Sequence, residues 1–170
     1  MPHPAVAALV PALKARGTQR VLDLGCGVGR HALLFAEHGF AVEAIDGAAG
    51  GIDFARREAA ARGLRLSLRQ ADADALPFAD ESFDYVLSWN VIFHGTMGDV
   101  GRRLAEIWRV LSPAVSTRVL CCRSAMRNSA AADRSPPTPS SAAATPKRIR
   151  TIIATWPVLP CSSPVSRFCR

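Results

Sequence analysis

Three glycines within five residues separate an apolar segment from an amphipathic one, and this arrangement constrains the fold more than any other feature of the sequence. Arg20–Leu24 has the composition of a buried strand, and residues 23–29 read Asp-Leu-Gly-Cys-Gly-Val-Gly. Arg30–His38 then has the pattern of a helix, with Gly39 as its expected stop. Glycines at such a turn let a ligand lie against the backbone beside the positive end of a helix. We therefore expect a nucleotide-like ligand here.

Short apolar runs alternate with helical patterns along the rest of the first two thirds of the chain. Further strands are predicted at Ala41–Ile45, Leu64–Arg69 and Phe83–Ser88, and further helices at Ile52–Arg62 and Asp99–Leu111. This alternation is typical of βαβ units. The predicted fold class is therefore α/β, with a Rossmann-like, doubly wound and mostly parallel sheet.

The pattern within these segments also predicts their places in the fold. Leu64–Arg69 alternates apolar and polar residues, which favours an edge strand, whereas the more continuously apolar Phe83–Ser88 favours a central one. The apolar residues of the last predicted helix share one face, which we expect to pack on the sheet: Val100, Leu104, Ile107, Trp108 and Leu111.

Residues that could bind a nucleoside follow the predicted strands. The dinucleotide fingerprint is not met, because its last glycine is replaced by Arg30, and the Gly-Lys-Ser/Thr of a P-loop is absent, so NAD and ATP are disfavoured. Asp46 lies 21 residues after Gly25, at the end of the second strand, where a carboxylate can accept both ribose hydroxyls. Asp72 closes the third strand and can face an adenine amino group. Together these acids predict a groove for an adenosine.

Several motifs in this order resemble the class I S-adenosylmethionine-dependent methyltransferases, particularly the small-molecule group that carries V-L-D-L-G-C-G-x-G. The resemblance covers about residues 20–113 and rests on six segments: Val21–Gly29, Ala44–Asp46, Gln70–Ala73, Leu76–Phe78, Ser82–Asp84 and Leu104–Pro113. It implies S-adenosylmethionine as the cofactor and a small-molecule methyl acceptor, although the sequence does not identify that acceptor.

The resemblance also implies a role for each matching residue. Asp23, Gly25 and Gly27 would contact the methionine moiety of the cofactor. Asp46 would bind the ribose, and both Asp72 and Ala73 would bind the adenine. Asn90, just past the fourth strand, would face the methyl group and the acceptor.

Methyl transfer is an in-line displacement that needs alignment of the reactants and exclusion of water, and a base only if the acceptor must lose a proton. His94 is the candidate base, because it lies four residues after Asn90 and an ordinary imidazole pKa near 6.5 suits proton transfer at neutral pH. The alternative is a histidine that only forms a hydrogen bond within its loop. His31 is expected to cap a helix or to lie exposed.

The composition changes abruptly near residue 113. Residues 1–113 carry 12 Lys and Arg against 13 Asp and Glu, whereas residues 114–170 carry 9 against 1, so the tail alone accounts for the net charge of +7. All 12 glycines precede Pro113. A basic chain suggests nucleic acid as a partner, but the tail has only two aromatic residues, Trp156 and Phe168, and scattered arginines, so nucleic-acid binding is disfavoured.

We therefore predict two regions, a methyltransferase core at 1–113 and a basic Ser-, Pro- and Ala-rich tail at 114–170. Members of the resembling family continue into a Gly-Gly turn and the strands that complete a seven-stranded sheet, but this chain continues with Ala114-Val115. The sheet is expected to be incomplete in its C-terminal half. The tail resembles GC-rich coding sequence translated in another frame, which gives the hypothesis of a frameshifted or otherwise non-native extension that translation of the other frames would test.

Parts of the tail carry their own predictions. Ser129–Pro146 is expected to be disordered, because it has little apolar surface to bury. Arg118–Cys122 and Thr151–Leu159 could each be a strand, and either could cover the apolar edge of the fourth strand.

The remaining predictions concern location and class. No metal site is expected, because the cysteines lack paired C-x-x-C spacing. Pro11 interrupts the apolar run Ala5–Leu13, which favours a leading amphipathic helix over a signal peptide, and the cysteines indicate no designed disulfides, so the protein is expected in the cytoplasm. No segment is long and apolar enough for a membrane span, so no membrane partner is expected. The leading function is a methyltransferase, and the alternative is a truncated cofactor-binding remnant without turnover.

Overall fold

A computed structural model describes residues 1–112 and 120–122 of the chain. The elements within these residues are α1 (Pro4–Ala7), α2 (Val10–Ala15), β1 (Arg20–Leu24), α3 (Arg30–Glu37), β2 (Ala41–Asp46), α4 (Ala49–Ala61), β3 (Ser67–Gln70), β4 (Tyr85–Trp89), α5 (Met97–Val110) and β5 (Leu120–Cys122).

The described strands form one parallel sheet in the order β3-β2-β1-β4-β5. The chain builds outward from β1 through β2 to β3 and then crosses to the other side of β1 to add β4. This reversal places a topological switch point between β1 and β4, where open α/β sheets bind their ligands at the carboxyl ends of the strands. The sheet confirms the predicted α/β, Rossmann-like class, with β3 at the edge and β4 in the interior.

Helices cover both faces of the sheet. One core contains Phe35 of α3 and Ile52 of α4 packed against Val21 of β1. The other contains Ile107 and Val110 of α5 together with further sheet residues. The fold is therefore doubly wound, as predicted.

Several predicted boundaries shift by a few residues. β3 begins at Ser67 rather than Leu64, and α4 begins at Ala49 rather than Ile52. The N-terminal segment forms two short helices instead of one, and Pro11 lies in the first turn of α2, where a backbone N–H is not needed.

The predicted packing face of α5 was partly wrong. Trp108 is 44% exposed, whereas Val110, which the prediction left out, is fully buried. Ile107 and Val110 are three residues apart and share the buried side, which turns the adjacent Trp108 about 100° away from the sheet.

β5 lies within the predicted Arg118–Cys122 and pairs with β4 over Leu87–Trp89, so it covers that part of the edge of β4. The predictions for Ser129–Pro146, for Thr151–Leu159 and for a boundary at Pro113 lie outside the described residues. Among the helices that are described, none has both the length and the apolar character that a membrane span requires.

Candidate functional site

The glycine turn between β1 and α3 has a backbone that only glycine adopts readily. Gly25 has a φ of +73°, and a Cβ built there would lie 2.2 Å from Cγ2 of Val91, in the loop after β4. Gly29, the residue before α3, has a φ of +78°, and its Cβ would lie 2.7 Å from that of Ala55 in α4. The glycines therefore let the turn pack closely against both neighbouring elements.

A cavity of about 660 Å³ opens at the carboxyl ends of β1, β2 and β3. It brings together five residues that were predicted to serve the site: Gly25, Asp46, Asp72, Ala73 and His94. Its volume falls in the usual range of small-molecule sites. Asp23, Gly27 and Asn90 do not line it.

Asp46 joins the glycine turn to the start of α4. Its Oδ2 accepts a hydrogen bond from the N–H of Gly27 at 2.7 Å, and its Oδ1 accepts one from the N–H of Ala48 at 2.8 Å. The contact with Asp46 is the link between Gly27 and the cavity. Each carboxylate oxygen has two lone pairs, so both oxygens of Asp46 can accept a further hydrogen bond from a ligand hydroxyl.

Asp72 and Ala73 form the opposite side of the cavity, in the loop after β3. Oδ1 of Asp72 accepts the N–H of Asp74 at 3.0 Å, which makes an Asx turn. Gln70 donates from Nε2 to the carbonyl of Gly47 at 2.9 Å and so ties the end of β3 to the turn after β2. The loop geometry thus holds an exposed carboxylate at the cavity.

Asp23 is 1% exposed and lies beneath the cavity rather than in its wall. Burial raises the pKa of this carboxyl from 3.8 to about 7, against the opposing effects of the backbone N–H of Ala32 and the charge of Arg30. Its Oδ2 has no hydrogen-bond partner among the described residues. Asp23 therefore combines deep burial with an incompletely satisfied carboxyl directly before the glycine turn.

Asn90 and His94 lie in the loop that follows β4. Asn90 has a left-handed backbone, with a φ of 60°, a conformation that asparagine tolerates better than most residues. The Nε2 of His94 lies 3.2 Å from the carbonyl oxygen of Asn90. Because a carbonyl only accepts, this bond requires the proton on Nε2 and leaves Nδ1 as the acceptor. The bond also matches the alternative of a histidine that stabilises its own loop.

His31 is buried, so the prediction of a capping or exposed histidine was wrong. Its Nε2 accepts the backbone N–H of His3 at 3.3 Å, and its ring meets that of Trp89 edge to face, with the centroids 5.7 Å apart. Burial lowers the pKa of His31 to about 4. The histidine thus holds the N-terminal segment against the end of β4.

Arg103 is the residue that the sequence did not reveal as part of the site. It lies on α5 and lines the cavity. In sequence it belongs to a pair of arginines on a helix, which is the pattern of an ordinary solvated face. Among the described residues, no cluster of three or more His, Cys, Asp or Glu could hold a metal ion.

Comparisons with known proteins agree with this geometry. The family model described as "Methyltransferase domain" matches residues 21–114. The chain is 39% identical over 102 residues to the demethylmenaquinone methyltransferase of Thermus thermophilus, which is 58% of this chain and 44% of that protein.

Two solved structures share the fold. The PH0226 protein from Pyrococcus horikoshii has a TM-score of 0.61 and 31% identity, covering 69% of this chain and 56% of that one. A SAM-dependent methyltransferase from Methanosarcina mazei has a TM-score of 0.56 and 26% identity, covering 64% and 56%. The chain thus spans about half the length of the proteins that it matches.

Proposed function

The chain belongs to the methyltransferase domain family, and on that premise we propose that it is an S-adenosylmethionine-dependent methyltransferase that acts on a small-molecule acceptor. The observation that carries the proposal is the cavity at the carboxyl edge of the sheet, where Gly25 and the carboxylates of Asp46 and Asp72 come together. S-adenosylmethionine is the cofactor of this family. The cavity fits it in size and in its two carboxylates.

The proposed contacts follow the order of the strands. Asp46 accepts hydrogen bonds from the ribose hydroxyls with the lone pairs that Gly27 and Ala48 leave open. Asp72 and Ala73 bind the adenine from the loop after β3.

The methionine end lies along the glycine turn in this proposal. Gly25 and Gly27 approach it with their backbones, and Asp23 supports the turn from below. Asn90 faces the acceptor from the end of β4.

When bound, S-adenosylmethionine supplies an electrophilic methyl group on a sulfonium. The task of the protein is then to align the acceptor with that methyl group and to exclude water. His94 is the proposed base for an acceptor that must lose a proton, and its Nδ1 is the atom that takes the proton, since Nε2 is engaged with the carbonyl of Asn90.

The alternative is a remnant that binds the cofactor without turnover. It is supported by the change of composition after residue 113, where the glycines stop and the charge becomes strongly basic. We accordingly propose a methyltransferase core at 1–113 and a basic tail at 114–170, of which residues 120–122 add β5 to the sheet of the core, and a cytoplasmic location. The core carries 12 basic and 13 acidic residues, which gives no reason to propose a nucleic-acid partner.

Calorimetric titration of the full chain with S-adenosylmethionine and with S-adenosylhomocysteine tests the proposal. We expect both ligands to bind the parent, and Asp46→Ala to weaken binding by about a hundredfold or more, because two hydrogen bonds to a charged group contribute about 1.5–3 kcal/mol each and each 1.4 kcal/mol is a factor of ten. Asp53→Ala, which removes an exposed carboxylate on α4, is the matched control and should bind like the parent. A parent that binds neither ligand would overturn the proposed function, and an Asp46→Ala variant with parental affinity would remove the ribose assignment.

A further inference from the structure

One side chain connects the two loops that line the cavity. The Nε of Arg103 donates to Oδ1 of Asp74 at 2.5 Å, in the loop after β3. Its Nη1 donates to the backbone carbonyl of His94, in the loop after β4. These two loops carry Asp72 and the candidate base, so a single guanidinium bridges the two sides of the site.

The neighbouring arginine shows what an ordinary surface residue on this helix looks like. Arg102 also pairs with Asp74, at 3.3 Å, and with Asp99 at the start of α5. Its side chain is 59% exposed, however, against 18% for Arg103, and it does not line the cavity. The two arginines therefore share an acidic partner but differ in burial and in contact with the loop after β4.

We propose that Arg103 is a positioning residue that clamps the loop 71–75 to the loop 90–96 and so holds the cavity in its ligand-binding shape. The inference rests on the proposed function, because the ligand in question is S-adenosylmethionine. Without the bridge, the two loops would have to become ordered when the ligand binds. The bridge holds them in place beforehand, so a larger fraction of the ligand-free molecules is ready to bind. The apparent affinity for the ligand rises by the same factor as this fraction.

The chemistry of arginine suits this task. Its planar guanidinium presents several N–H donors in different directions, so one group can serve a carboxylate and a carbonyl at the same time. A lysine ammonium is a compact charge that can keep the pair with Asp74 but is poorly shaped to reach the carbonyl of His94 as well. Lysine at position 103 should therefore preserve the charge and lose much of the bridge.

The test compares Arg103→Met, Arg103→Lys and the matched control Arg102→Met in the full chain. For S-adenosylhomocysteine binding measured by calorimetry, we expect Arg103→Met to bind about tenfold more weakly than the parent, Arg103→Lys to lie between, and Arg102→Met to bind like the parent. Thermal unfolding of the same proteins separates this effect from general stability, since each methionine variant loses an ion pair to Asp74.

Hydrogen exchange of the ligand-free proteins supplies a second readout. Arg103→Met should speed amide exchange in residues 90–96 and 71–75, whereas Arg102→Met should leave residues 90–96 unchanged. Equal affinities of Arg103→Met and Arg102→Met, or unchanged exchange in both loops, would overturn the clamp. A parent that does not bind S-adenosylhomocysteine would overturn the proposed function instead, and exchange in the loops would still decide the clamp.

Discussion

The buried carboxyl of Asp23 should make the stability of this protein fall as the pH rises. Its pKa is raised from 3.8 to about 7 by burial. Between these two values the folded chain holds a proton that the unfolded chain has released, so the free energy of unfolding decreases with increasing pH across that window and is constant above it. At about 1.4 kcal/mol per pH unit, the full effect is on the order of 4 kcal/mol, of which about 2 kcal/mol falls between pH 5 and pH 7.

A second buried group opposes this effect in part of the same window. The pKa of His31 is lowered by burial to about 4. The unfolded chain therefore holds the extra proton between about pH 4 and pH 6.5, and the contribution of His31 to stability is gained as the pH rises through that interval. The free energy of unfolding of the parent should therefore change less with pH below pH 6.5 than it would with either group alone.

The Asp23→Asn variant isolates the carboxyl. Asparagine keeps the shape and an oxygen for the N–H of Ala32, but it does not titrate. We expect the free energy of unfolding of the variant minus that of the parent to increase by about 3 kcal/mol between pH 5 and pH 8, measured by urea denaturation followed by circular dichroism. The quantity of interest is this change and not the difference at a single pH, because the new amide N–H groups have their own cost of burial.

Asp53→Asn provides the control for this experiment, since it makes the same chemical change at a side chain that is 58% exposed. The free energy of unfolding of Asp53→Asn should vary with pH in parallel with that of the parent. A difference between Asp23→Asn and the parent that does not change with pH would refute the reasoning, because it would mean that Asp23 is already ionised in the folded protein at pH 5.

Three further experiments test other parts of the molecule. His94→Ala should slow methyl transfer to an acceptor that must lose a proton by about a hundredfold, a larger factor than its effect on S-adenosylhomocysteine binding, and an unchanged rate would exclude the base. Gly25→Ala should lower the free energy of unfolding by about 2 kcal/mol, because of the positive φ at this position and the clash of the new Cβ with Val91. Gly27→Ala should lower it by about 1 kcal/mol, because φ is positive there too but no atom lies within 4 Å of the new Cβ. Equal losses in chemical denaturation would count against the close packing of Gly25 on Val91. His31→Leu should speed amide exchange in residues 3–9, because it removes the acceptor for the N–H of His3, and it should remove the gain in stability between pH 4 and pH 6.5. Unchanged exchange would show that the hydrogen bond from His3 to His31 does not hold the N-terminal segment in place.

Local sequence patterns were sufficient for most of the fold. β1 was predicted with its exact ends because an apolar run stops at a glycine turn, and both signals lie within a few residues of each other. The edge position of β3 followed from its alternation and the interior position of β4 from its continuous apolar run. The face of α5 was harder, since apolar residues occur on more than one side and only the sheet determines that Val110 is buried and Trp108 is not.

Some residues of the candidate site could be predicted from local sequence patterns, and others could not. Gly25 directly follows β1, Asp46 ends β2, and Asp72 lies two residues after β3. A parallel sheet must bring such positions to one edge, so the sequence predicted their meeting at the cavity. His31 and Arg103 depend instead on partners far along the chain: His3 is 28 residues from His31, and Asp74 is 29 residues from Arg103. A pair of arginines or a histidine on a helix has the same local pattern whether it faces water or a neighbouring loop, so no pattern could distinguish them.

Asp46 shows why ligand binding and loop order are linked in this site. The carboxylate that is proposed to hold the ribose also accepts the N–H groups of Gly27 and Ala48, so it fixes the glycine turn before any ligand arrives. On the other side of the cavity, Arg103 fixes the loops after β3 and β4 in the same way. Both charged groups order parts of the site before the ligand arrives, so less free energy is spent on ordering these loops when the ligand binds. A site of this kind is preorganised. Loss of either should therefore weaken binding without removing every contact to the ligand.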